Sequence, residues 1–255
     1  MNILKLILYE LQEGTVLAWR AFAALFTRPR YFRDMLNQMD TIGVGSLVIV
    51  LLTGFFTGAV LALQTGMTMS SLGAKGFTGR LVATSLLREL GPVLTSLMVA
   101  GRVGSGIAAE LGTMLVSDQI DAMRALGTDP IRKLVTPRMV ALLVMVPALT
   151  IIAVMVGTGG GLVVAVTLLG LPYTQYTSSA KLAFKLNDVT GSLIKALVFA
   201  FIIAVVGCRA GLRTSGGAVG VGRSTTQSVV VASILILVAD FFITRALQIF
   251  LPPGQ

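Results

Sequence analysis

Histidine is absent from this chain of 255 residues. Its absence removes Ser-His-Asp chemistry, histidine-liganded zinc and histidine-ligated haem together. Cysteine occurs once, at Cys208. No internal disulfide can form, and one thiol does not make a metal site. No G-x-x-x-x-G-K-[ST] run occurs, so the chain has no phosphate cradle of that kind. Charge is scarce as well. Charged residues make up 12% of the chain, against about 25% in average soluble domains. These shortages exclude a disordered chain, a disulfide scaffold and most soluble enzymes. They leave no candidate for a catalytic or metal-ligating role.

Apolar residues fill the space, at 55% of the chain, with 28 glycines and a net charge of +9. This is the composition of an all-α polytopic membrane protein. About 20 mostly apolar residues cross a bilayer. Five segments qualify: Ile42 to Gln64, Leu81 to Ala108, Met139 to Leu171, Leu193 to Val206, and Val229 to Leu251. Pro147 and the glycines from Gly157 to Gly161 can kink or tilt the third, which is read as one crossing. Lys195, near the start of the fourth, is expected to snorkel. The glycines at 216, 217, 220 and 222 are read as a flexible loop.

Basic residues set the expected orientation. Residues 1–41, the loop after span two and the loop after span four hold twelve Lys and Arg. The alternate segments hold four: Lys75, Arg80, Lys181 and Lys185. The N-terminus is therefore expected in the cytoplasm and the C-terminus in the periplasm. No nucleic-acid partner is expected. The N-terminus lacks a signal-peptide pattern, so it is expected to be retained.

Residues 3 to 26 carry an apolar helical face that includes Leu4, Ile7, Leu8, Leu11, Ala18, Trp19, Phe22, Leu25 and Phe26. Lys5, Glu10, Glu13 and Arg20 interrupt it too often for a span. Arg28-Pro29-Arg30 is expected to stop it. The pattern fits an amphipathic helix lying in the cytoplasmic interface. The alternative is a helix packed on the protein's own face.

Charges inside spans are costly and tend to face an interior or a cavity. Arg88 and Glu89 are adjacent, so they point in different directions rather than at each other. Gly91-Pro92 beside them predicts a helix break. Glu89 is read as lining a substrate path, and Asp240 and Arg245 as interhelical ion pairs. Gly54-x-x-x-Gly58 and Gly101-x-x-Gly104-x-Gly106 permit close helix contact. Residues 117–127 predict a short helix capped by Ser117, with Ile120, Met123 and Leu126 on one face and Gly127 and Pro130 ending it.

Several stretches together are distinctive: Leu86-Leu87-Arg88-Glu89-Leu90-Gly91-Pro92-Val93, Ala100-Gly101-Arg102-Val103-Gly104-Ser105-Gly106, Ala109-Glu110-Leu111-Gly112-Thr113-Met114 and Asp118-Gln119-Ile120-Asp121-Ala122-Met123. Further matches run through Asp129-Pro130, Pro137-Arg138, Thr214 to Ala218, Gly222 to Thr226 and Ala239-Asp240-Phe241. In this order they resemble the MlaE/YrbE permeases, membrane subunits of ABC transporters that work with Mce proteins. The resemblance implies a homodimer in the bacterial inner membrane. It implies a cytoplasmic ABC ATPase that binds the ATP and Mg, a periplasmic hexameric Mce-domain ring, and room for a small cytoplasmic accessory subunit. The implied cargo is phospholipid or a related membrane lipid, moved between inner and outer membranes.

Carried onto this sequence, the lipid pocket takes in Leu61, Gln64, Thr68, Met69, Leu72, Arg88 and Glu89. The coupling helix at 117–127 offers Asp118, Ile120, Asp121, Met123, Arg124 and Leu126 to the ATPase. Residues 1–41 then form an interfacial helix and basic elbow, and residues 42–255 a five-span permease domain. The competing reading is a proton-coupled secondary transporter using Glu89 or Asp240 as relay. It lacks support from an internal inverted repeat. An intramembrane enzyme is disfavoured by the missing histidine and the lack of a paired-carboxylate site.

Overall fold

The computed structural model describes residues 3–24 and 31–250, with side chains from residue 12 onward. The expected stop at Arg28-Pro29-Arg30, the positions Leu25, Phe26 and Leu251, and the side chains of Leu4 to Leu11 lie outside the described residues.

Every regular element among the described residues is a helix. In chain order they are α1 (Ile3–Ala24), α2 (Phe32–Ser71), α3 (Lys75–Val116), α4 (Gln119–Ala125), α5 (Ile131–Thr167), α6 (Tyr173–Lys181), α7 (Leu186–Leu212) and α8 (Gly217–Phe250). Five of them, α2, α3, α5, α7 and α8, are long and apolar enough to cross a membrane. The protein is a multi-pass integral membrane protein.

The helices outrun the apolar segments that predict them. At about 1.5 Å per residue, the 40 residues of α2 reach well past a hydrocarbon core of about 30 Å. Hydropathy marks where lipid would be; the helix continues through polar flanks until a turn residue ends it. Several hydroxyls within the spans are satisfied by their own helix. Thr150 and Thr158 donate to the carbonyls of Val146 and Val154, at 2.9 and 2.8 Å, as a dry environment requires. Pro147 lies inside α5 without ending it.

Contacts group the chain into two compact units. The first comprises Met1–Val44, Val99–Met145 and Ala200–Leu235. Here α1 presents buried Ala18, Ala21 and Ala24 to the protein, and Thr136 Oγ1 donates to the Ala21 carbonyl at 3.2 Å. Trp19, on another face of α1, is 76% exposed. A small-residue face of this helix therefore packs on the protein, as the alternative reading expects, while its aromatic face is exposed. Gly104 meets Gly207, whereas Gly101 and Gly106 have no close neighbour, so only the middle of that triplet makes the expected contact.

The second unit comprises Gly45–Met98, Val146–Phe199 and Ile236–Gln255. One core cluster joins Ala62, Val82, Leu86, Leu87 and Val154; another joins Ala83, Ala165, Leu171, Tyr176 and Ala180. The Gly54 and Gly58 turns of α2 meet Ala153 and Gly157 of α5 backbone to backbone. Tyr176 lies in α6, outside the five spans. Burial pushes its phenol pKa up, and its hydroxyl donates to the Thr158 carbonyl at 3.2 Å.

The glycines at 216 to 222 are not a flexible loop. Gly216 and Gly217 turn the chain with φ of 89° and 67°, and α8 starts at Gly217. A helix can begin there because glycine adopts positive φ without a Cβ clash.

Candidate functional site

The expected break at Gly91-Pro92 is not a break. α3 absorbs the proline through a π turn, Leu86–Leu90, and continues as α-helix from Gly91. Such single-turn widenings are frequent at functional sites. In an unbroken α-helix, residue 92 would donate to the carbonyl of Arg88. Proline has no N–H to give. Lys195 Nζ takes that place, donating to the Arg88 carbonyl at 2.9 Å.

Lys195 is thus not snorkelling. Its side chain is 2% exposed and also binds Glu89 Oε2 and, at 2.9 Å, Asp240 Oδ1. The ammonium donates hydrogen bonds to the Arg88 carbonyl and to Glu89, and pairs with Asp240 by charge. Arg88, pointing elsewhere, grips Asp188 through Nε at 2.8 Å and a second nitrogen at 3.0 Å. This planar two-point pairing is the strong form of a charge-assisted hydrogen bond. Adjacent Arg88 and Glu89 therefore pair with two different partners. Asp240 forms an interhelical ion pair, as expected.

Asp188 and Lys195 were not singled out as site residues. A signal for them existed. They stand seven apart on α7, hence on one face, with signs opposite to Arg88 and Glu89. Asp240 and Thr244 are four apart on α8, and the Thr244 hydroxyl lies 3.4 Å from Glu89.

The cluster borders open space. Glu89 remains 42% exposed at its side chain and lines, with Arg88, Ser192, Lys195 and Thr244, a cavity of about 90 Å³. A larger cavity, about 600 Å³, is lined by Arg88 and Met69 among others. That volume lies within the usual range for small-molecule sites, roughly 300–1,000 Å³. Of the remaining residues assigned to the pocket, Leu61 packs half-buried against the Ala62 and Val82 core. Gln64, Thr68 and Leu72 are exposed on α2 and line neither cavity.

Removing one half of the Arg88–Asp188 pair strands the other in a part-buried site. Asp188→Asn is expected to lower the melting temperature by about 5 °C, read by thermal shift in detergent. The exchanged pair Arg88→Asp with Asp188→Arg should recover part of the loss.

The helix between spans two and three exists as α4. Its details differ from expectation. Ser117 does not cap it; its hydroxyl donates back to the Thr113 carbonyl at 2.8 Å. Asp118 occupies the cap position with φ of 58°. Gly127 ends the helix as expected, with φ of 74°; its N–H bonds the Arg124 carbonyl and that of Thr128 bonds Met123, a Schellman closure. Ile120 is fully buried, so it is not part of an outward face. Met123 is half-buried, Leu126 is 83% exposed, and Asp121 pairs with Arg124 at 2.7 Å in the open.

Residues 35–246 match the family described as Permease MlaE. The chain belongs to the MlaE permease family. A probable ABC transporter permease protein of Rickettsia typhi is 44% identical over 227 residues, covering 89% of this chain and 88% of that one. The intermembrane phospholipid transport system permease protein MlaE of Haemophilus influenzae is 36% identical, covering 88% of this chain and 87% of its own length. The chloroplastic protein TRIGALACTOSYLDIACYLGLYCEROL 1 of Arabidopsis thaliana is 40% identical, covering 84% of this chain and 61% of that longer protein. The MlaE match takes in all five members of the charged cluster, from Arg88 to Asp240.

Proposed function

We propose that the chain is the membrane-spanning permease subunit of an ABC transporter that moves phospholipid or a related lipid between inner and outer membranes. The observation that carries this reading is the MlaE family match, together with relatives named as ABC permeases and, in Haemophilus, as a phospholipid transport permease. The chain sits in the bacterial inner membrane with its N-terminus in the cytoplasm and C-terminus in the periplasm. It acts as a homodimer. A separate cytoplasmic ATPase binds ATP and Mg, and a hexameric Mce-domain protein with a small accessory subunit completes the assembly. The homodimer draws support from α8, whose most apolar stretch is 11% buried within one chain, against 33% to 50% in the other spans.

The chain's own residues have definable tasks. Apolar helix faces accommodate acyl chains, and the charged cluster offers polar contacts where a headgroup passes. α4 carries the ATPase's movement into the spans. A proton relay through Glu89 or Asp240 is less well supported, because Lys195 already compensates both carboxylates.

α4 provides the test. Leu126→Asp changes an exposed side chain and should leave the protein folded while cutting ATPase co-purification about tenfold, as loss of an apolar anchor does. Ile120→Asp should instead destabilise the permease itself, since it buries a charge. Undiminished co-purification with Leu126→Asp would contradict the assignment of α4.

A further inference from the structure

The large cavity of the second unit holds more positive charge than its surroundings compensate. Arg80, Arg88 and Lys185 line it, with Asp188 the carboxylate among its lining residues. Asp188 is committed to Arg88. Segments 72–80 and 168–192 contain no other acidic residue. Among the described residues, Arg80 and Lys185 have no ion-pair partner, although Lys185 is half-buried. The remaining walls are apolar: Met69, Phe77, Leu81 and Leu182, of which Phe77 is 58% and Leu182 60% exposed.

The two cations stand on fixed backbone. The Arg80 N–H donates to Ser179 Oγ at 2.9 Å. At Gly79, a Cβ would come within 2.5 Å of the Tyr176 carbonyl, so α3 lies tight on α6 there. Lys185 follows α6 in a turn in which its N–H bonds the Ala183 carbonyl at 2.9 Å. Both also belong to the four basic residues on the segments that the charge bias leaves poor in Lys and Arg.

We propose that this cavity binds the phosphate headgroup of an anionic phospholipid, held between Arg80 and Lys185, with the first acyl methylenes against Phe77, Leu81 and Leu182. This deepens the lipid-permease reading and rests on it. Two uncompensated cations beside an apolar wall suit an anionic amphiphile. Free phosphate would have no use for the wall, and an acidic protein surface would have none for an apolar recess. Arg88, held by Asp188, marks the inner limit of the site, where the charged cluster begins.

The test uses the full chain in phosphatidylcholine nanodiscs doped with photoactivatable phosphatidylglycerol or, separately, photoactivatable diacylglycerol, which lacks the phosphate. Wild type should crosslink phosphatidylglycerol on peptides spanning residues 77–88 and 182–188, well above diacylglycerol. Arg80→Gln with Lys185→Gln should lower that crosslinking about tenfold. Arg80→Lys with Lys185→Arg should retain it, which separates charge loss from misfolding. Millimolar inorganic phosphate should not compete.

Equal crosslinking of the neutral double variant, or of diacylglycerol, would overturn the headgroup site. Competition by inorganic phosphate would assign the cations to the free ion instead. If the neutral variant lost the periplasmic partner while keeping lipid crosslinks, the charges would serve protein docking and the proposal would fall. ATP-driven lipid transfer by the wild-type complex is measured alongside. Failure of that transfer contradicts the permease reading; normal transfer with unchanged crosslinking contradicts only this site.

Discussion

Lys195→Met is expected to lower the melting temperature of the purified permease by about 10 °C, corresponding to roughly 3–5 kcal/mol. The side chain is 2% exposed and binds two carboxylates and a carbonyl. Methionine fills the volume but restores neither the charge nor the hydrogen bonds to Glu89 and the Arg88 carbonyl. Glu89 and Asp240 then face each other without a counter-charge, and the carbonyl freed by Pro92 loses its partner. Glu89→Lys attacks the same cluster from the other side, setting a new ammonium against Lys195. It should reduce stability as well as transport.

The neutral triple variant Lys195→Met, Glu89→Gln, Asp240→Asn separates packing from function. Removing all three charges should recover most of the melting temperature, because no charge is left uncompensated. Lipid transfer should stay low if the cluster lies on the lipid's path. Full recovery of both would make the cluster a packing device alone.

Gly58→Ala is expected to cost about 3 kcal/mol, again near 10 °C, and Gly58→Leu should yield no monodisperse protein. A Cβ at Gly58 would overlap the backbone carbonyl of Gly157. Backbone atoms cannot swing aside as a flexible side chain can. The helix-propensity gain of alanine over glycine, about 1 kcal/mol, is too small to offset this. Gly159→Ala is the matched control. It lies in the same glycine run but has open space at the Cβ position, so its melting temperature should change by no more than a degree or two. Similar losses at both positions would show that glycine flexibility, and not the close α2–α5 contact, governs this region.

Much of this architecture was legible in the sequence for physical reasons. Long, predominantly apolar runs such as Ile42 to Gln64 have no alternative to lipid or core, so five spans follow directly. The adjacency of Arg88 and Glu89 forced them toward different partners. Other features depended on three-dimensional facts that spacing does not encode. Pro92 suggested a break, but a π turn and a lysine from α7 take up the lost hydrogen bond. Lys195 suggested snorkelling because it lies near the start of an apolar run, yet its donors are used within the protein.

Ile120 illustrates the same limit. Its apolar face was readable, but whether that face meets this chain or a partner was not, and it is buried here. The glycines from Gly216 to Gly222 suggest a loop by composition, while only Gly216 and Gly217 have the positive φ that a turn requires. In each case the residue type was informative and the partner decided the role.

The central claim is that this chain carries the lipid route and a separate ATPase drives it. The direct measurement is transfer of a fluorescent phospholipid from proteoliposomes containing the permease assembled with its ATPase and Mce partner. Transfer should require hydrolysable ATP, stop when the ATPase is omitted, and fall at least tenfold with Leu126→Asp, whose exposed side chain is assigned to coupling. Undiminished transfer under a proton gradient, with neither ATP nor the ATPase present, would contradict the account.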